Sequence, residues 1–338
     1  MGFDSPLGYK MKHIHFHIGL LILLAAGLLA GCCHKDEPAQ RNEIAVKTGV
    51  TGMLRRATTI DSTAALRGYD LKIDAYYHGT NTAYLSGKKL HYDLDHDPSP
   101  AWVFWDGSAQ EHYYWPAEGS KIGEVIASTL DFVGACPFSA PAYITPGTYN
   151  HTTGTSFSCD MSGYMTSTAQ TTMQEYIIAV LDSQTLETQT LAGGALPMVF
   201  QHPMARIKFV IAEESGTHVT VDSIGIAGLH TGGTCTYDGT DMTWGSYSGS
   251  AALKITPANA LQYGTSYTET TPMMVIPKHY GALTLAVRAS WDDWSVVENQ
   301  TISANVDFNW DPGYSYTYNL TVTPYALIVN VEKFTEQW

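Results

Sequence analysis

Arg55 and Arg56 stand side by side in a chain that has only six arginines and a formal net charge of −14. A pair of basic side chains is a target for proteases that cut after arginine, so the chemistry this dipeptide offers is to be cleaved. Cys32 is a second reactive position, a thiol that follows Leu29-Ala30-Gly31 at the end of an apolar run. His91, Asp93, Asp95 and Asp97 alternate along one strand face and present nitrogen and oxygen ligands. An EF-hand is excluded, because the sixth position from Asp93 is Pro98 and the twelfth is Phe104. A solvated outer strand face, with Leu90, Tyr92 and Leu94 pointing the other way, accounts for the same pattern, and no metal is expected. Trp102, Trp105 and Trp115, with Tyr113 and Tyr114, are able to stack on sugar rings. Aromatic side chains bury about 150–250 Å² each, so core packing competes with that reading.

Nucleophilic catalysis finds no support. Gly245-Ser246-Tyr247-Ser248-Gly249 has its serines out of place for G-x-S-x-G. Neither G-x-x-x-x-G-K-[ST] nor G-x-G-x-x-G occurs between a strand and a helix, and the thirteen histidines are scattered. The chain is expected to be no enzyme and to use no cofactor. Its acidic balance leaves no basic patch for phosphates, which argues against a nucleic-acid partner.

The elements that must position these residues are strands. Residues 44–54 place Ile44, Val46, Val50 and Leu54 on one face and Lys47 and Thr51 on the other, the period-two pattern of a half-buried strand. Residues 71–77 and 89–97 alternate too, and 101–105 and 112–115 are aromatic strand runs. Further strands are expected at 176–181, 205–212, 218–226, 251–255, 273–276, 283–289, 314–322 and 326–331, with one short helix at 123–130. Many short strands divided by turn signals read as an all-β chain with two β-sandwiches. Residues 191–197 (LAGGALP) are the expected linker. The expected domains are 44–192, with 44–56 as a removable first strand, and 193–338.

Upstream, Lys10 and Lys12 precede a 13-residue apolar run at 18–30. A spanning helix needs about 20 such residues, so residues 1–31 read as a signal peptide, and translation starting at Met11 fits its length better. Leu29-Ala30-Gly31-Cys32 resembles a bacterial lipobox, in which the cysteine is acylated, for example with palmitate, and becomes the new N-terminus. Residues 32–43 then form a tether. Its start, Cys33-His34-Lys35-Asp36-Glu37-Pro38, resembles the acidic tether of surface-exposed Bacteroidetes lipoproteins. Cys136, Cys159 and Cys235 cannot all pair and lack zinc spacing, so they are expected to be buried free thiols.

A strand that follows a tether and ends in a protease target can be removed. A sandwich that loses it exposes unpaired N–H and C=O groups beside an apolar groove, which a strand of another subunit can fill. Several stretches resemble the fimbrillin (FimA/Mfa-like) family of Bacteroidales lipoprotein pilins. They are Arg56-Ala57-Thr58-Thr59, Tyr114-Trp115-Pro116, Phe200-Gln201-His202-Pro203-Met204-Ala205-Arg206-Ile207, Trp310-Asp311-Pro312-Gly313-Tyr314-Ser315-Tyr316 and the terminal Trp338. The resemblance implies two tandem transthyretin-like β-sandwiches, a lipid anchor in the outer membrane and cleavage by a trypsin-like protease at Arg55 or Arg56. It also implies a cell-surface role in a fimbria and in cell adhesion, with other fimbrial subunits as partners through strand exchange. Leu327, Val329 and Val331 make residues 326–334 a candidate donor strand. The sequence leaves open whether that strand is donated or pairs within its own domain, and so whether the subunit is stalk, tip or anchor. The rival reading is a surface lipoprotein that binds glycans through Trp102, Trp105 and Trp115 and never polymerises.

Overall fold

Period-two alternation of apolar and polar residues builds most of the molecule. The chain divides into residues 1–42 and residues 43–338. The computed structural model describes residues 42–50, 62–96, 99, 101–117, 121–122, 125–126, 128–213, 218–256, 259–261, 266–268, 272–292 and 297–337. Cys32, Arg55, Arg56, Asp97 and the terminal Trp338 lie outside the described residues, as does the part of the expected first strand beyond Val50.

The first half contributes β1 (Val46–Val50), β2 (Leu71–Tyr77), β3 (Ala83–Asp93), β4 (Ala101–Trp105), β5 (Gln110–Glu111), β6 (Lys121–Ile122), β7 (Val125–Ile126), β8 (Leu130–Cys136), β9 (Ile144–Pro146), β10 (Thr155–Asp160), β11 (Ile177–Gln184) and β12 (Leu196–Phe200). Three short helices join them: α1 (Thr63–Leu66), α2 (Ser167–Gln170) and α3 (Leu186–Leu191). Sheet A runs β11-β8-β2-β3-β4-β5. A parallel ribbon of β1 and β12 faces it. Between them lies the first core, with Ile73, Leu90, Phe104, Phe132 and Ile177 from the sheet and Ile44, Val46, Leu196, Met198 and Phe200 from the ribbon side.

The second half adds β13 (Ala205–Glu213), β14 (His218–Leu229), β15 (Gly232–Tyr237), β16 (Met242–Ser248), β17 (Ala251–Ile255), β18 (Asn259–Leu261), β19 (Ser266–Thr268), β20 (Met273–Val275), β21 (His279–Asp292), β22 (Val297–Asn309), β23 (Tyr314–Val322) and β24 (Leu327–Gln337). Sheet B is β16-β15-β10-β9, sheet C is β19-β13-β23-β24 with β20 on β13, and sheet D is β17-β14-β21-β22 with β18 on β14. Sheets C and D enclose the second core, where Trp291, Trp310, Phe308 and Tyr318 are fully buried. The core continues under sheet B to the far face of sheet A. At its margin the buried Gln170 amide pairs with both main-chain groups of Met274, at 2.9 and 3.1 Å, as a strand neighbour would.

Strands β8 and β11 bury both faces. Phe132, Cys136, Ile177 and Ala179 enter the first core, while Val133, Ala135, Ile178 and Val180 enter the second. Such strands carry no alternation, so Leu130–Cys136 gives no period-two signal.

Two expectations are corrected. Lys121–Ile122 and Val125–Ile126 pair as antiparallel strands, so Val125–Ile126, inside the helix expected at 123–130, are extended. Ile122, Val125 and Ile126 are β-branched and favour extended backbone. Residues 191–197 are not a linker. α3 ends at Leu191, and Gly193 and Gly194 take φ of 84° and 90°, a left-handed conformation that glycine adopts cheaply at a helix stop. The chain then turns directly into β12, whose Leu196 is fully buried in the first core. Sheet B also draws β9 and β10 from before the expected boundary at 192/193 and β15 and β16 from after it.

Gly134 is the contact point between sheet A and the ribbon. A Cβ there would lie 2.7 Å from the Met198 sulfur and 2.9 Å from Phe200 Cζ. Overpacking of this kind costs about 1–3 kcal/mol. Gly134→Ala is therefore expected to lower the unfolding free energy measured in urea by that amount, and an unchanged value would show that Met198 and Phe200 move aside freely.

Candidate functional site

The first strand is seated through its main chain at one end and its side chains at the other. Ile44 N–H donates to the Tyr113 carbonyl at 2.7 Å, and Glu43 bridges Tyr114 in antiparallel fashion. The Ala45 carbonyl accepts from Leu196 N–H at 2.8 Å. From there β1 follows β12 in parallel, with Val46 opposite Leu196, Thr48 opposite Met198 and Val50 opposite Phe200. The inward Ile44 and Val46 are 1% and 4% exposed.

Two groups along residues 43–45 are met by a side chain. The Gln189 amide donates to the Glu43 carbonyl at 2.8 Å and accepts from Ala45 N–H at 3.0 Å, imitating a strand neighbour. Its oxygen also accepts from Trp115 Nε1 at 3.0 Å, which fixes which end of the amide faces which partner. Trp115 is held in turn by an edge contact with Phe132. Gln189 sits on α3, a helix too short to stand without caps. The Thr185 hydroxyl accepts from Thr188 N–H at 3.2 Å, and the Thr188 hydroxyl accepts from Thr185 N–H at 2.8 Å, a reciprocal capping box.

The turn that leads into α3 is fixed by charge. Asp131 of β8 is buried, and it accepts from Ser183 N–H at 2.8 Å and from the Tyr149 hydroxyl at 2.8 Å. His78 Nδ1 lies 2.8 Å from Asp131 and 3.2 Å from Asp182. Ser183 takes φ of 58° at the bulge where this happens. Burial pushes the Asp131 carboxyl up, but its hydrogen bonds with Asp182, Ser183, His78 and Tyr149 outweigh that and hold it below the usual range. Burial pulls the His78 imidazole down, and the hydrogen bond and charge of Asp131 raise it above its ordinary value. Asp182, hydrogen-bonded to Asp131, is raised. Among the described residues these three are close enough to share an ion, yet they already satisfy one another.

The other sequence-marked residues are not gathered into one site. Trp102 packs against the first core and Trp115 is buried in it. Trp105 sits three positions from Trp102 along β4 and so points to the opposite face, beside His91. The three tryptophans therefore make no common platform. His91 is 2.8 Å from Asp70, and Asp93 accepts from Asp95 N–H at 2.9 Å, so both are engaged locally. Cys136, Cys159 and Cys235 are free and buried. Burial pushes all three thiols up, that of Cys159 to about 12, which leaves them inert at neutral pH. Leu327, Val329 and Val331 lie on β24, paired with β23 at the end of sheet C. Leu327 is buried and Val329 half-buried, while Val331, Ile328 and Tyr325 are exposed. Gln189 carried no sequence signal of its own, since nothing local marks a helix residue that meets a strand 144 positions away.

Residues 104–338 match a family model described as fimbrillin-like. No curated protein matches the chain. A candidate cell adhesion protein of Bacteroides uniformis superposes with a TM-score of 0.50 at 15% identity, covering 88% of this chain and 99% of its own. Another, of Bacteroides ovatus, gives 0.53 at 13% identity, covering 88% and 98%. At such identity these likenesses concern the fold.

Two outcomes test the seat. Gln189→Leu keeps the bulk and leaves three polar groups unpaired. It should cost at least about 1–3 kcal/mol in urea unfolding and strip hydrogen-exchange protection from Ile44 and Ala45; retained protection would mean the amide does not hold the strand. His78, raised in the fold, contributes stability that is fully present below about pH 6.5 and lost as pH rises through its folded pKa. The Tm difference between wild type and His78→Gln should therefore shrink above neutrality. It should also shrink in strong acid, as Asp131 takes up its proton below the usual carboxylate range. A difference independent of pH would remove the ion pair from the account.

Proposed function

The chain belongs to the fimbrillin-like family, and on that premise we propose that it is a structural subunit of a cell-surface fimbria, exported as a lipoprotein and polymerised by strand exchange. In this reading residues 1–31 are the signal peptide, Cys32 carries the lipid that anchors the precursor in the outer membrane, and residues 32–43 are the tether. Residues 44–56 are the removable strand of the first sandwich, and a trypsin-like protease releases it at Arg55 or Arg56. Two sandwiches form the body of the subunit, the first of them completed by β12 from beyond the expected 192/193 boundary. Among the described residues no helix is long and apolar enough to cross a membrane.

The observation that carries the reading is the seat of the first strand. Ile44 and Val46 fill the first core, and β1 is the ladder partner of β12 in a two-stranded ribbon. Taking β1 away leaves the main chain of Leu196–Phe200 without that partner, above a groove lined by Leu196, Met198 and Phe200. An open ladder beside an apolar groove is the chemistry that strand addition satisfies. The alternating Leu327, Val329 and Val331 of a second copy supply a strand of the right pattern, from an element at a sheet edge.

Trypsin treatment of the purified precursor should remove the N-terminal segment and be followed by ladder-like multimers on denaturing gels. The double variant Arg55→Ala, Arg56→Ala should keep its lipid and stay monomeric. Normal assembly of that variant would refute cleavage at this site as the trigger.

A further inference from the structure

The inward face of residues 44–50 reads Ile44, Val46, Thr48, Val50, and the odd member is Thr48. In the parallel register it lies opposite Met198, between the pairs Val46–Leu196 and Val50–Phe200. Leu196, Met198 and Phe200 are fully buried. The Thr48 hydroxyl is closed off from solvent and has no hydrogen-bond partner among the described residues. A buried hydroxyl without a partner forfeits the bonds it makes to water in the open state. Valine has nearly the same shape and forfeits nothing. Threonine thus fits this position in size and not in chemistry.

On its exposed side the resident segment pairs Glu43 with His112 at 2.8 Å and donates from Lys47 Nζ to the Ala192 carbonyl, and the rest of the grip does not discriminate between strands. Gln189 grips the carbonyl of Glu43 and the N–H of Ala45, and Tyr113 accepts from the N–H of Ile44. These are main-chain groups that any extended segment offers. Selectivity therefore resides in the side-chain positions over the ribbon, and Thr48 is the one where the resident strand is mismatched.

We propose that Thr48 makes the first strand displaceable. The subsite opposite Met198 is matched to an aliphatic side chain, and its proper occupant is the C-terminal strand of a second copy of this chain. Leu327, Val329 and Val331 give that strand three consecutive aliphatic residues on one face, with no hydroxyl among them. The unpaired hydroxyl raises the free energy of the filled seat before exchange and is absent after it, so the exchange is biased forward. This inference rests on the strand-exchange reading of the preceding section.

The test uses the full chain with Thr48→Val. Loss of the unpaired hydroxyl should slow hydrogen exchange at the Leu196, Met198 and Phe200 amides about tenfold, because β1 leaves less often. After trypsin, multimers of the variant should form more slowly by a similar factor. Unchanged or faster amide exchange overturns the mismatch at Met198. Slower amide exchange with an unchanged multimerisation rate overturns the role of Thr48 in displacement. Slower amide exchange with no multimers from either chain leaves the aliphatic subsite standing and sinks the strand-exchange reading instead.

Discussion

A backbone N–H or C=O taken out of water must find a partner, and residues 43–45 meet that demand partly through one side chain. The Gln189 amide replaces a ladder rung for Glu43 and Ala45. Everything around it serves to hold that amide still. Trp115 fixes its orientation, the Thr185–Thr188 box holds its helix, and the His78–Asp131 pair holds the bulge from which the helix departs. Gln170 does the same for Met274 at the edge of the second core. An amide side chain completes a sheet without committing a strand to the task.

Much of the fold was legible because most strands are half-buried. Ala251–Ile255 and Tyr314–Val322 lie where alternation places them. The misses have definite causes. Leu130–Cys136 is buried on both faces and shows no period. Leu196–Phe200 hides behind Gly193-Gly194, which reads as a linker because paired glycines mark flexible chain as often as a helix stop. Residues 112–115 look like a strand by composition, but Tyr114 makes a single bridge while Trp115 turns into the core.

The candidate site was legible in part. The first strand was visible in its alternating Ile44 and Val46, and Trp115 stood out as an aromatic without a settled role. What joins them is Gln189, a polar residue on a surface-like helical segment, and no local pattern announces a contact across so long a span of chain. Two of the stretches that resemble the fimbrillin family, residues 200–207 and 310–316, prove to be joints of the structure. The Pro203 carbonyl accepts from Trp244, the Met204 carbonyl accepts from Gly313 N–H, and Trp310 donates to Tyr318. His202 is hydrogen-bonded to the buried Glu175.

The two-faced strands β8 and β11 act as a party wall between the cores. Each core lends the other a surface that neither half of the chain could cover alone, since β12 closes the first from beyond the wall and β10 reaches across to β15. Melting either core strips one side of the same two strands and so weakens its neighbour. Heat should therefore take both down in a single cooperative step, and a subunit built this way stays whole or fails whole.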